Sequence, residues 1–192
     1  MVVVKERKTN ETAISLKLDI NGSGKSAIET GIGFFDHMLQ TLAKHALFDL
    51  ELKCVGDLAV DSHHSVEDTA ILLGQALNEA IFPAHGIERF ADRIAVLDEA
   101  AISCAIDISG RAFLNWSVPI DGRIGEFEAE LGEEFFRALV TNARITAHFN
   151  IISGSNRHHI IEASFKAFAI AIRSALAQNP RVIGIPSAKG IL

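Results

Sequence analysis

"HHSVEDTAILLGQALNEAIF" (63–82) and "HHIIEASFKAFAIAIRSALA" (158–177) are two versions of one phrase. Each opens with paired histidines, and each places a glutamate three residues after the second one. Each then runs on with apolar residues at helical spacing: Val66, Ala70, Leu73, Leu77 and Ala80 in the first, Ile161, Phe165, Phe168, Ile172 and Ala175 in the second. Two helices built to one plan, about ninety-five residues apart, predict an internal duplication.

The text around them repeats as well. "AISLKLDI" (13–20) alternates like a half-buried strand, "GIGFFDHMLQTLAKHALF" (31–48) reads as a helix opened by glycines, and "DLELKCVGDLAV" (49–60) is strand-like. Beyond a split near residue 90, "AAISCAIDISGRAFLNWSVPI" (100–120) is strand-rich, with "SGR" and "NW" marking a hairpin region. "GEFEAELGEEFFRALVTNA" (125–143) predicts a helix and "RITAHFNII" (144–152) a strand. The expected fold is α+β: one domain over 1–192 made of halves at about 1–90 and 91–180. Each half is a sheet backed by two helices, and a pseudo-twofold relates the two. The tail, 181–192, ends in "IPSAKGIL" and reads as an ordered or ligand-bound loop.

Composition narrows the function classes. At 192 residues and 48% hydrophobic, the chain can bury a sizeable core. A formal net charge of −6 argues against a nucleic-acid binder held by a general positive field. No apolar run reaches the roughly 18 residues of a membrane span. The opening "MVVVKERKTNET" is too charged for a secretory signal. Cys54 and Cys104 lie in strand-like stretches and make no disulfide framework, so a reduced, cytoplasmic protein is expected.

The paired histidines carry the chemistry. On a helix, His63 and His64 diverge by about 100°, so each reaches a different ion, while Glu67 can approach either. The same holds for His158, His159 and Glu162. One such phrase alone could be a solvated helix start; two at matching places in a duplicated unit suit a pair of metal sites, each drawing ligands from both phrases. Further ligands are found upstream at similar distances: His37 before His63 and Glu134 before His158, with His148 as the rival in the second half. Nitrogen and carboxylate donors without thiolate suit Mn²⁺, with Fe²⁺ or Zn²⁺ as alternatives. His45 and His85 fall outside the pattern. Arg89, Arg111, Lys166, Ser187 and Lys189 lie at element ends or in loops and could converge on a phosphate.

The segments "RKTNET", "TGIGFFDHML", "DSHHSVED", "LDEA", "SGR", "HHIIEASFKA" and "PSAKG" together resemble the imidazoleglycerol-phosphate dehydratase family of histidine biosynthesis, from about residue 5 to the end of the chain. The resemblance implies loss of water from D-erythro-imidazole-glycerol phosphate to give imidazole-acetol phosphate, through a metal-bound imidazolate and a diazafulvene-like intermediate. It implies two Mn²⁺ per active site, sites shared between chains, and homo-oligomers of 24 subunits, with halves like the second domain of ribosomal protein S5. It makes His37, His63, His64, Glu67, His158, His159 and Glu162 metal ligands and Glu11 the catalytic carboxylate. Arg89, Arg111, Lys166, Ser187 and Lys189 become phosphate contacts. Where relatives often carry histidine, this chain has Glu134, so Glu134 or His148 completes the second-half site; His148 could equally sit behind the ligands or touch substrate. Ala112 and Ala188 replace the proline and threonine usual in relatives. A di-metal hydrolase of a small phosphorylated substrate is the alternative from the same ligands, and a metal-storage shell without catalysis is another.

Overall fold

The computed structural model describes residues 2–192. The first half runs β1 (Val2–Lys8), β2 (Thr12–Asp19), β3 (Ser26–Glu29), α1 (Gly33–Ala46), β4 (Asp49–Gly56) and α2 (His63–Ile81). In the second half come β5 (Phe90–Leu97), β6 (Ala100–Asp107), β7 (Phe113–Ser117), a short hairpin of β8 (Arg123–Ile124) and β9 (Phe127–Glu128), α3 (Leu131–Ala143), β10 (Thr146–Ser153) and α4 (Arg157–Ala175). The sheets have the orders β1-β2-β4-β3 and β5-β6-β10-β7. In both, the edge strand β3 or β7 runs parallel to its neighbour and every other pairing is antiparallel. The sequence thus specifies one topology twice, as the duplicated phrases predict.

Two expectations are corrected. The "SGR" and "NW" region is not a hairpin, because β10 inserts between β6 and β7. That order lets Ala147 and Phe149 of β10 bury centrally, both fully out of solvent. The helix expected from residue 125 starts only at Leu131, because Phe127 is buried in the β8–β9 hairpin and Gly125 takes a left-handed backbone (φ 59°).

Alternation along the strands buries one face of each sheet and leaves the other exposed. The helices cover the buried faces: α2 lies on β1 and β2, and α4 on β5 and β6. Helices of opposite halves also pack together, α1 on α4 and α2 on α3, in keeping with the pseudo-twofold. Because α4 is pressed from sheet and helix sides at once, its buried set is wider than one stripe and includes Ile160, Ala163, Ser164, Ala167 and Ala171. At Gly74 the α2–α3 approach is so close that a Cβ would come within 2.6 Å of the Leu139 carbonyl oxygen. Phe135, Phe136, Phe149, Phe165 and Phe168 form a contiguous aromatic core, with Phe136 at 4.6 Å from Phe149 and 4.8 Å from Phe165 between ring centroids. Truncating such a ring to alanine costs about 3–5 kcal/mol. This core fixes α3 and α4 and, through them, the two phrases.

Candidate metal centre

Local chemistry sets where each phrase begins. Asn156 caps α4, its side-chain oxygen accepting from the backbone N–H of His158 (2.9 Å) and His159 (3.3 Å). Asp61, one residue before Ser62 at the start of α2, accepts from His63 N–H at 2.8 Å. Asp36 ties down the entry to α1 by accepting from both the N–H (2.9 Å) and the hydroxyl (2.6 Å) of Thr30, which sets His37 one turn into that helix.

Because α1 packs on α4, His37 of the first half meets the phrase of the second. His37, His158 and Glu162 bring one ligand atom each to within 4.8 Å of one another. Glu162 Oε2 lies 3.1 Å from His158 Nε2 and 3.4 Å from His37 Nε2, while its other oxygen takes Lys166 Nζ at 2.7 Å. Phe34 packs edge-on against His158, with ring centroids 5.0 Å apart. Burial works to raise the Glu162 pKa. The Lys166 ammonium outweighs it, with help from His158 and His37, and the net shift is downward. Glu162 is therefore an anion, half of it facing two imidazoles. Two nitrogens and one oxygen at this spacing fit a divalent cation of the borderline or hard kind.

Around α2 the arrangement is looser. His63 Nε2 and Glu67 Oε2 stand 4.0 Å apart. Glu134, in the first turn of α3, joins no three-ligand cluster among the described residues, so within one chain the second set stays incomplete. His148 projects from the outer face of its sheet, its ring tilted against Phe113 at 5.5 Å between centroids, while its neighbours Ala147 and Phe149 face the helices. Alternation along β10 places it away from His158 and Glu162.

The second histidine of each phrase turns away from the first by the same geometry. Ring centroids are 6.2 Å apart at 82° for His63 and His64, and 6.1 Å at 82° for His158 and His159. His64 sets Nδ1 at 3.0 Å from Asp57 and Nε2 at 3.7 Å from Glu11. His159 sets Nδ1 at 2.7 Å from Glu99 and Nε2 at 3.9 Å from Asp98. The Asp57 hydrogen bond leads in raising the His64 pKa. Glu99 also accepts from the N–H of Ser155 (3.1 Å) and Asn156 (2.8 Å), and these bonds with His159 hold its carboxyl down at about 2. Glu11 precedes β2 and Glu99 precedes β6, so they are counterparts at the tips of equivalent hairpins. The sequence assigns no role to Asp57 or Glu99; Glu99 lies in "LDEA", one of the segments that carry the family resemblance.

Four of the five anion-binding candidates gather elsewhere. Arg89 binds Asp107 through Nε (2.7 Å) and Nη2 (3.2 Å) and donates Nη1 to the Pro186 carbonyl at 2.7 Å, which anchors the tail. Ser187 Oγ accepts from Lys189 N–H at 3.2 Å, and Leu192 packs against Gly110, next to Arg111. The Arg89 N–H bonds the Ala175 carbonyl at 2.8 Å, so this set lies at the C-terminal end of α4, whereas His158 and Glu162 lie at its N-terminal end. Seventeen residues of helix separate His158 from Ala175, about 26 Å. Lys166 is the exception and stays with Glu162.

The imidazoleglycerol-phosphate dehydratase family model matches residues 30–172. The chain is 59% identical over 187 residues to the imidazoleglycerol-phosphate dehydratase of a Nitratiruptor species, covering 97% of this chain and 98% of that one. It is 58% identical over 186 residues to that of Wolinella succinogenes, covering 97% of each. Among solved structures it is similar to imidazoleglycerol-phosphate dehydratase from Staphylococcus aureus, with a TM-score of 0.85 and 37% identity over 93% of this chain and all of that one. The Pyrococcus furiosus enzyme gives a TM-score of 0.84 and 34% identity over 98% of this chain and all of that one.

Proposed function

The chain belongs to the imidazoleglycerol-phosphate dehydratase family and catalyses the dehydration step of histidine biosynthesis; we propose that it does so with two divalent cations, Mn²⁺ by preference, held where subunits meet. The observation that carries this reading is the His37–His158–Glu162 cluster, preassembled without any thiolate. Cation ligands at one site would be His37, His158 and Glu162, and His63, Glu67 and Glu134 would serve the related site, with His64 and His159 contributing from neighbouring chains. When bound, the cations supply Lewis acidity to the substrate's ring nitrogens.

The chain's own residues do the rest. Dehydration takes hydroxide from the carbon attached to the ring and a proton from the next carbon; the resulting enol becomes the ketone, with the phosphate retained. Glu11, half-exposed at a hairpin tip and facing His64, is the base that takes the carbon-bound proton. Arg111, Ser187, Lys189 and Arg89 hold the phosphate end by charge-assisted hydrogen bonds, and Lys166 steadies Glu162.

Distance along α4 argues for shared sites. Imidazole ligands at one end and anion contacts about 26 Å away at the other lie further apart than one three-carbon phosphate can bridge. Apolar residues exposed on the outer sheet faces, among them Phe90, Ile94, Val96 and Phe113, provide surface for association. A closed homo-oligomer of 24 chains fits this need. Buried unpaired Cys54 and Cys104 support a cytoplasmic location, and no described helix is long and apolar enough to cross a membrane.

Incubating the Mn²⁺-loaded protein with imidazole-glycerol phosphate tests the reading. Imidazole-acetol phosphate should form with no inorganic phosphate released. Phosphate release would instead indicate a hydrolase, and tight loading far beyond two ions per chain with no product would indicate storage.

A further inference from the structure

A ligand nitrogen must be unprotonated, and which imidazole nitrogen is free depends on what the other one meets. In both phrases the second histidine presents Nδ1 to a carboxylate: His64 to Asp57 at 3.0 Å and His159 to Glu99 at 2.7 Å. A carboxylate only accepts, so Nδ1 carries the hydrogen in each ring and Nε2 keeps its lone pair. The first histidines behave differently, turning Nε2 towards the helix's own glutamate.

The two carboxylates come from non-equivalent places. Asp57 follows β4 in the loop leading to α2, whereas Glu99 stands at the β5–β6 hairpin tip, the counterpart of Glu11. Copying one half onto the other does not generate both contacts. The same nitrogen is nonetheless engaged in both halves, from different directions. Glu99 is further fixed by the N–H groups of Ser155 and Asn156, so its position is set by the loop that begins α4. Asp57 has no other side-chain partner among the described residues.

We infer that Asp57 and Glu99 are positioning residues, which hold His64 and His159 as Nδ1–H tautomers and so commit Nε2 of each to the cation. This rests on the metal reading given above and assigns a role to two residues outside the ligand set.

The test is a double-mutant cycle on cation affinity, read from the electron paramagnetic resonance signal of free Mn²⁺ during titration. Glu99→Ala should weaken binding of one class of ions about 10- to 100-fold. In a His159→Ala background the same change should alter affinity less than about twofold, because its effect passes through that ring. Glu99→Gln keeps an oxygen for the N–H groups of Ser155 and Asn156, which both bond Oε1, but turns its amide NH2 towards His159 Nδ1, so the loop should stay in place while affinity falls as in Glu99→Ala. Asp57→Ala with His64→Ala forms a second cycle that disturbs no backbone contact, and the same pattern is expected. Equal losses with and without the histidine would show that the carboxylates serve folding alone and would overturn the inference. Unchanged affinity in folded Asp57→Ala and Glu99→Ala proteins would do so too. A wild-type protein that binds no Mn²⁺ would bring down the metal reading itself, an outcome distinct from either of these.

Discussion

Asp68 receives the Thr12 hydroxyl at 2.5 Å, joining the buried side of α2 to the first residue of β2. The same carboxylate takes Arg7 at 2.7 Å and the Thr9 hydroxyl at 3.5 Å, and Thr9 Oγ in turn accepts from the N–H of Glu11. Asp68 therefore fixes the turn that carries Glu11. Its counterpart in the second phrase is Ala163, so the two hairpins are secured by different means. Asp68→Ala should lower kcat about 10-fold or more by misplacing Glu11. It should also cost about 1–3 kcal/mol in unfolding free energy, since one-third-exposed Arg7 can turn to water but the buried Thr12 hydroxyl cannot. Steady-state kinetics and denaturant titration check the two effects.

Glu11→Gln keeps the shape of the turn and removes the carboxylate proposed as the base. Turnover should fall about 10²- to 10⁴-fold while bound Mn²⁺, measured by elemental analysis, stays at the wild-type amount. A loss below about threefold would exclude proton transfer by Glu11.

Deleting the last eight residues, or Lys189→Ala, should raise KM for substrate more than it lowers cation content. The tail is docked through Arg89 and Pro186, so deletion also frees Arg89 to pair with Asp107 alone. An unchanged KM would remove the tail from the phosphate site.

Chelator should reduce the particle to a smaller oligomer, and Mn²⁺ should rebuild it, as followed by light scattering. Acid should do the same near pH 6, where imidazoles with reference pKa near 6.5 take up protons instead of metal. Unfolding should come later. Glu99 and Asp49 are both held below their ordinary pKa values, Asp49 by backbone N–H groups of Ser23 and Lys25. Such groups contribute stability above their unfolded values, 4.5 and 3.8, and lose it only as pH falls through the folded ones, about 2 for Glu99. Circular dichroism should therefore keep its native form through the pH range where scattering drops. Coincident transitions would show that the cations are not what joins the subunits.

Much of this was legible beforehand, for physical reasons. The helices of the two phrases are marked by dense apolar periodicity from Val66 to Leu77 and from Ile161 to Ala175, and the paired histidines stand at their starts. The sheet order was not legible, because the placement of β10 between β6 and β7 depends on pairings far apart in sequence. The β8–β9 hairpin has strands too short to show any period. Symmetry alone suggested His37 and Glu134 as counterparts, but only the packing of α1 on α4 shows that His37 lies against the opposite half's phrase. Asp57, Asp68 and Glu99 look like any acidic residue near a turn until their partners are seen.

The length of α4 has a genetic consequence. On the proposed reading a chain with Glu162→Gln loses a cation ligand and a chain with Lys189→Ala loses a phosphate contact, yet each retains what the other lacks. If one subunit supplies the first function and its neighbour the second, shells assembled from an equal mixture contain some intact sites. Random assortment of subunits gives at most about a quarter of them. Two alleles that are each impaired should thus complement one another within the same cell, and an isolated chain should be silent however well it is folded.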